Sequence, residues 1–392
     1  MLHTISIGHL TARFLEEIVV FFHIVVTDDC NLACRYCRGA LFEELDEPVC
    51  QSAIRDDLPI SFDETLLKEL YRFLGSDPDP VLTFIGGEPL LNTGLICRIM
   101  DEAPCSRYML QTNGLLLDRL PGAYHNRLET ILVSIDGDAA QNDANRGDGV
   151  YERVLANARM IRSQGYRGEL IARMTVCEDM DIRAMVRHLQ ELQENPFSSI
   201  HWQLDANFRG DYAARNASVW IAESYNPGIS ALLQDWVSHM QVHGEVPGWY
   251  PFLQTTEDLL TDSPTHLRCG SGLTNYTIQT DGSIIPCPIM IGMADYTLGT
   301  ISTSNPLALP QVQPGSPCRD CAILTFCGGR CLYSNIVKPW PDDGVRAVCS
   351  TIYHLRAELC GHLPTIRRLI ADGRVNMASF RHTRYNGCEI IP

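Results

Sequence analysis

Between residues 20 and 207 the chain repeats one texture six times. A short, nearly continuous apolar run is followed by a polar segment with helical periodicity. The runs are FFHIVV, VLTFIG, RYMLQTNG, TILVSIDG, LIARMTV and SIHWQLDA. They are rich in β-branched and aromatic residues and lack the alternation of half-exposed strands, as parallel strands buried on both faces should. Between them, SFDETLLKELYRFL offers Ser61 as an N-cap with Glu64 three residues on, a capping box. YERVLANARMI gathers Val154, Leu155, Ala158 and Ile161 on one face, and DIRAMVRHLQEL gathers Ile182, Met185, Val186 and Leu189. Six strands with helical crossovers predict an α/β fold, a TIM-like (β/α)6 barrel, open or closed. In such barrels chemistry sits at the C-terminal ends of the strands.

Directly after the first strand comes TDDCNLACRYCRG, with Cys30, Cys34 and Cys37. A closed zinc site needs four ligands and a disulfide needs two. Three thiols imply a metal group with one position left for something else. The chain holds 16 cysteines in 392 residues. Its N-terminus lacks the basic start and cleavage site of a signal peptide, and no run reaches the length of a membrane span. The reading is cytoplasmic, where clustered cysteines mean metal or redox chemistry. A formal charge of −16, from 47 acidic against 31 basic residues, argues against a nucleic-acid backbone as the partner.

The organisation expected is an extension over 1–19, the barrel over 20–208, a bridge over 209–260 containing one helix, a Cys-rich domain over 261–360 and a tail over 361–392. The Cys-rich stretch carries Cys269, Cys287, Cys318, Cys321, Cys327, Cys331 and Cys349.

Three thiolates can hold three irons of a 4Fe–4S cluster and leave the fourth open. CNLACRYC resembles the CxxxCxxC signature of radical S-adenosylmethionine (SAM) enzymes. The resemblance implies that the open iron chelates the methionine part of SAM. One electron then yields a 5′-deoxyadenosyl radical that removes a hydrogen atom from the substrate. FIGGEP, at the end of the second strand, resembles the family's GGE motif, with Gly86, Gly87 and Glu88 at the methionine amino group. QTNG ends the third strand and SIDG the fourth, which implies cofactor contacts by Thr112, Asn113, Ser134 and Asp136. Tyr36 matches an aromatic lying along the adenine, and Arg146 a residue meeting the methionine carboxylate. Arg173 and Leu204 match cofactor-lining positions less specifically.

The C-terminal cysteines resemble the seven-cysteine SPASM pattern, which implies two auxiliary 4Fe–4S clusters, three in all. The resemblance assigns Cys318, Cys321, Cys327 and Cys349 to an outer cluster and Cys269, Cys287 and Cys331 to an inner one. Ser263 stands where some members have an eighth ligand; Cys360, Cys388 or a substrate could close the inner cluster instead. C-x2-C-x5-C-x3-C would also pass as a zinc site. Cys50, Cys97, Cys105, Cys177, Cys360 and Cys388 are by default buried fillers.

Enzymes with this domain pair mostly modify peptides. The chain resembles the peptide maturases and is similar to a peptide-modifying branch of methanogenic archaea. The implied reaction is hydrogen abstraction from a peptide, giving a thioether or carbon–carbon crosslink. Alternatives are oxidation of Cys or Ser as in anaerobic sulfatase maturases, where Pro288 stands in place of a suspected Asp base, and action on a small cofactor precursor. A non-enzymatic electron carrier is the remaining reading, against which the GGE motif and the polar strand ends argue. Asp205 and Tyr276 are possible base or relay residues, with a helix cap and a packed aromatic as the plainer alternatives. A low-potential donor such as ferredoxin or flavodoxin is implied. No room is apparent for a leader-binding module, so peptide recognition is expected to fall to a separate leader-binding protein or to the bridge region itself.

Overall fold

A computed structural model describes residues 20–37, 55, 57–207 and 211–382. Cys50, Cys388, the extension over 1–19 and the end of the tail lie outside the described residues. The six expected strands are present: β1 Phe21–Thr27, β2 Val81–Gly86, β3 Arg107–Thr112, β4 Leu128–Ser134, β5 Glu169–Val176 and β6 Ser199–Leu204. All neighbours pair in parallel, in chain order. Three strands that the apolar pattern does not reveal extend this sheet: β7 Asn275–Ile278, β8 Ser283–Ile285 and β9 Gly299–Thr300. β7 joins β1 in parallel, and β8 and β9 follow antiparallel. The order is β6-β5-β4-β3-β2-β1-β7-β8-β9, so the barrel is partial and not closed.

Alternation along β1 divides the interior. Phe22, Ile24 and Val26 join the main core under the helices. Val25, paired in register with Ile85, packs instead with Ile285, Cys287, Met290, Met293 and Tyr333. The Cys-rich region is thus built onto the inner face of the barrel through apolar contact.

The expected helical faces are buried at Val154, Leu155, Ala158 and Ile161 of helix Val150–Ser163. The same holds for Ile182, Val186 and Leu189 of helix Ile182–Gln190, with Met185 half-buried. The capping box at Ser61 does not form. Helix Glu64–Leu74 is capped by Asp63, which accepts from Leu66 N at 2.8 Å, while Ser61 Oγ accepts from Asn92 Nδ2. The bridge holds two long helices, Asn226–His243 and Tyr250–Thr261. Pro251 opens the second instead of ending the first, since proline suits the first helical turn. Pro227 lies in a helical run that begins at Ala217, and the wide π turn Ile221–Tyr225 absorbs it. Helix Asp342–Ala371 carries both Cys349 and Cys360 and packs against helix Asn226–His243. Among the described residues, no helix is long and apolar enough to cross a membrane.

Candidate active site

The loop after β1 carries Cys30, Cys34 and Cys37 at the C-terminal edge of the sheet. Cys37 N donates to Cys34 O at 2.9 Å and Arg35 N to Asn145 O at 2.9 Å, which ties this loop to helix Ala139–Arg146. The loop after β2 lies directly on it: Gly87 N donates to Thr27 O at 3.0 Å and Glu88 N to Asp29 O at 2.8 Å. This approach requires the two glycines. A Cβ at Gly86 would run into the Thr27 carbonyl, and one at Gly87 into the carbonyls of Asp28 and Asp29.

Glu88 is fully buried. Its Oε1 accepts from Thr112 Oγ1 at 2.7 Å and Leu90 N at 3.0 Å, and its Oε2 from Asn113 N at 2.7 Å. A carboxylate has about four acceptor sites, so one is left on Oε2. Burial raises the Glu88 pKa, and these three donors oppose the rise. Asn113 Nδ2 donates to Asn31 Oδ1 at 2.8 Å and points toward Cys30 Sγ at 4.0 Å. The ends of β2 and β3 are therefore fastened to each other and to the cysteine loop.

A second knot forms at the end of β4. Asp136 is fully buried and accepts from Arg146 Nη2 at 2.9 Å and Nε at 3.0 Å, from Thr175 N at 2.9 Å and from Asn145 Nδ2 at 3.1 Å. Tyr36 OH donates to the same carboxylate, and the Arg146 guanidinium lies 5.5 Å from the Tyr36 ring centroid. Tyr36, Asp136 and Arg146 thus come together and bind one another. Arg173 donates to Gln203 Oε1 at 3.1 Å and pairs in register with Ser134, and Leu204 is buried where β6 ends. Sequence reasoning missed Asn145 and the Thr175 amide; ANR, the tripeptide holding Asn145, was its only signal.

Burial pushes the Cys34 thiol up to about 11, although Arg146 opposes this, and it also raises Cys30. Such thiols stay protonated at neutral pH unless a cation replaces the proton. The remaining cysteines sort by which thiols feel one another. Cys287 is raised by burial first, then by Cys331 and Cys269. Burial leads also for Cys318, followed by Cys349 and Cys321 among its neighbours, while Cys327, pushed up to about 11, feels Cys318 and Cys349. The result is the division into 30/34/37, 269/287/331 and 318/321/327/349. Among the described residues, no three His, Cys, Asp or Glu side chains converge where a single metal ion could sit. Thiolates on separate irons need not converge on one point, so the donor sets are compatible with iron–sulfur clusters.

Of the other residues singled out, Ser263 Oγ is engaged with Thr261 Oγ1 at 2.8 Å in an exposed turn. Cys360 lies eleven residues beyond Cys349 on one helix, about 16 Å along it at the α-helical rise. Among the described residues Asp205 caps no helix: it accepts from Asn207 N at 3.0 Å and pairs with Arg215 at 2.8 Å. Tyr276 is packed, its hydroxyl donating to Leu273 O at 3.2 Å.

A profile of the Radical SAM superfamily matches residues 24–192. The chain contains a radical SAM domain. It is similar to the AdoMet-dependent heme synthase of Nitratidesulfovibrio vulgaris, 27% identical over 157 residues, 38% of this chain and 39% of that protein. It is also similar to the GTP 3′,8-cyclase of Crocosphaera subtropica, 35% identical over 124 residues, 30% of this chain and 34% of that one. The chain thus matches well under half the length of these relatives. In fold it is similar to anSMEcpe with bound AdoMet, with TM-score 0.67, 15% identity and coverage of 92% of this chain and 98% of that one. The corresponding figures for Streptococcus suis SuiB bound to precursor peptide SuiA are 0.51, 15%, 82% and 73%. The matched residues run from within β1 to just past helix Ile182–Gln190 and take in the GGE, TNG and SIDG strand ends.

Proposed function

We propose that this chain is a radical SAM enzyme that modifies a peptide. The observation that carries the reading is the GGE backbone laid on the cysteine loop, with one acceptor site left on the buried Glu88. In this reading Cys30, Cys34 and Cys37 hold a 4Fe–4S cluster whose fourth iron takes SAM. Glu88 Oε2 accepts from the cofactor's amino group, and Gly86, Gly87, Thr112 and Asn113 shape that pocket. Ser134, Arg173 and Leu204 line the rest. Asp136 holds Tyr36 and Arg146 in place, Tyr36 beside the adenine and Arg146 at the methionine carboxylate through Nη1, which lies outside its pair with Asp136.

The Cys-rich region would be a SPASM domain with two auxiliary clusters, one on Cys318, Cys321, Cys327 and Cys349 and one on Cys269, Cys287 and Cys331. When bound, the cluster on Cys30, Cys34 and Cys37 would supply the electron that cleaves SAM, SAM the radical that takes a hydrogen atom from the peptide, and the auxiliary clusters a route for the electron released on oxidation. Support for a peptide comes from two fold neighbours seen with one, the Cp18Cys peptide on anSMEcpe and SuiA on SuiB. A low-potential donor such as ferredoxin or flavodoxin, a separate leader-binding protein and a cytoplasmic setting complete the proposal.

A second reading, a small-molecule substrate, is favoured by the names of the sequence relatives, a heme synthase and a GTP cyclase. Deuterium transfer separates the two. Synthetic deuterated peptides matching short reading frames beside this gene are incubated with the reduced enzyme and SAM. Deuterium in the 5′-deoxyadenosine supports the peptide reading; its absence with every such peptide, alongside transfer from a small molecule, contradicts it.

A further inference from the structure

The inner thiol group has a fourth polar neighbour that no motif points to. Ser271 is 4% exposed, and its Oγ lies 3.2 Å from Cys269 Sγ. The turn that carries it is tightly fixed. The amides of Leu273, Thr274 and Asn275 all donate to Gly270 O at 2.9 Å, and Asn275 Nδ2 donates to Cys269 O at 3.1 Å. Gly272 holds a left-handed φ of +69°, and a Cβ there would press on Pro286 and Val312 at 3.0 Å. The hydroxyl is therefore held against the Cys269 sulfur by backbone geometry.

We infer that Ser271 is a positioning residue that sets the reduction potential of the inner cluster by donating a hydrogen bond to the Cys269 thiolate, and that it is not an iron ligand. This rests on the cluster reading above. Thiolates on different irons of one cluster stand much farther apart than hydrogen-bond distance. A hydroxyl 3.2 Å from one ligand sulfur therefore sits beside that sulfur and not on the neighbouring iron. In the free thiol, Cys269 donates to Ser271. When iron displaces the thiol proton, the sulfur can only accept, and the hydroxyl hydrogen turns toward it. Such a bond stabilises the reduced, more negative cluster more than the oxidised one, so it raises the potential.

The test uses the full chain with Cys30, Cys34 and Cys37 changed to Ala, so that only auxiliary clusters remain. Iron is counted first, then both midpoint potentials are followed by EPR during a redox titration. With Ser271 intact, about eight irons per chain are expected for two clusters. A count near four, or zinc in place of iron, overturns the cluster reading and this inference with it. Given eight, Ser271→Ala should keep all of them and move one potential to a more negative value while the other stays. Ser271→Thr, which retains the hydroxyl, should restore it. Two unmoved potentials overturn the inference. Loss of iron in Ser271→Ala also overturns it, since that would make Ser271 a ligand.

Discussion

Arg146 grips Asp136 through two hydrogen bonds, 2.9 and 3.0 Å, with side-chain exposures of 6% and 0%. The pair joins the end of β4 to helix Ala139–Arg146 and, through Tyr36, to the cysteine loop. Removing one partner of a buried pair strands the other's charge. Asp136→Ala should therefore lower the unfolding free energy by about 3–5 kcal/mol in a urea titration. Asp136→Ala with Arg146→Met should recover much of that loss, because no buried charge remains unpaired.

Gly87→Ala places a methyl group against two backbone carbonyls that cannot move without shifting the cysteine loop. Overpacking of this kind costs about 1–3 kcal/mol. The same titration should show that loss, and SAM cleavage should fall with it. Unchanged stability and cleavage would mean that the two loops do not depend on this close approach.

The division of the thiols predicts a modular iron count. Converting Cys30, Cys34 and Cys37 to Ala, or Cys269, Cys287 and Cys331, or Cys318, Cys321, Cys327 and Cys349, should each remove about four of about twelve irons. Metal analysis after anaerobic reconstitution reads this directly. Loss of eight irons from one set would show that two groups share a cluster or fold together.

His23 lies buried in β1 beside its register partners Thr83 and Thr277, and burial pushes its pKa down to about 4. The unfolded chain takes up this proton below about 6.5, while the native chain refuses it until about 4. Stability should therefore rise with pH across that window and be lost as pH falls through it. At pH 5 the share due to His23 is about 2 kcal/mol. His23→Gln should flatten the curve by that amount relative to the unaltered protein between pH 7 and pH 5, as measured by denaturant titration.

The six barrel strands were legible because burial on both faces writes a continuous β-branched run, and the cysteine, GGE, TNG and SIDG motifs all fell at their ends. β7, β8 and β9 were not, being four, three and two residues long, with polar Asn275, Thr277 and Ser283 among them. Short strands take their stability from the β1 edge and not from their own pattern. Ser61 and Asp63 are both good caps by composition, and only the contact with Asn92 shows why Asp63 prevails. That Asp136 and Arg146 bind each other was equally hidden, since pairing and ligand contact call for the same residue types. Ser271 has no signature at all, because its role comes from a turn that places it against Cys269.

The central claim is that Cys30, Cys34 and Cys37 support reductive cleavage of SAM. The protein would be reconstituted anaerobically, reduced with dithionite and given SAM, and 5′-deoxyadenosine would be measured. The account predicts its formation, and its loss when the three cysteines become Ala. Full iron content without any 5′-deoxyadenosine, under a reductant that drives a control radical SAM enzyme and with peptide present, would contradict it.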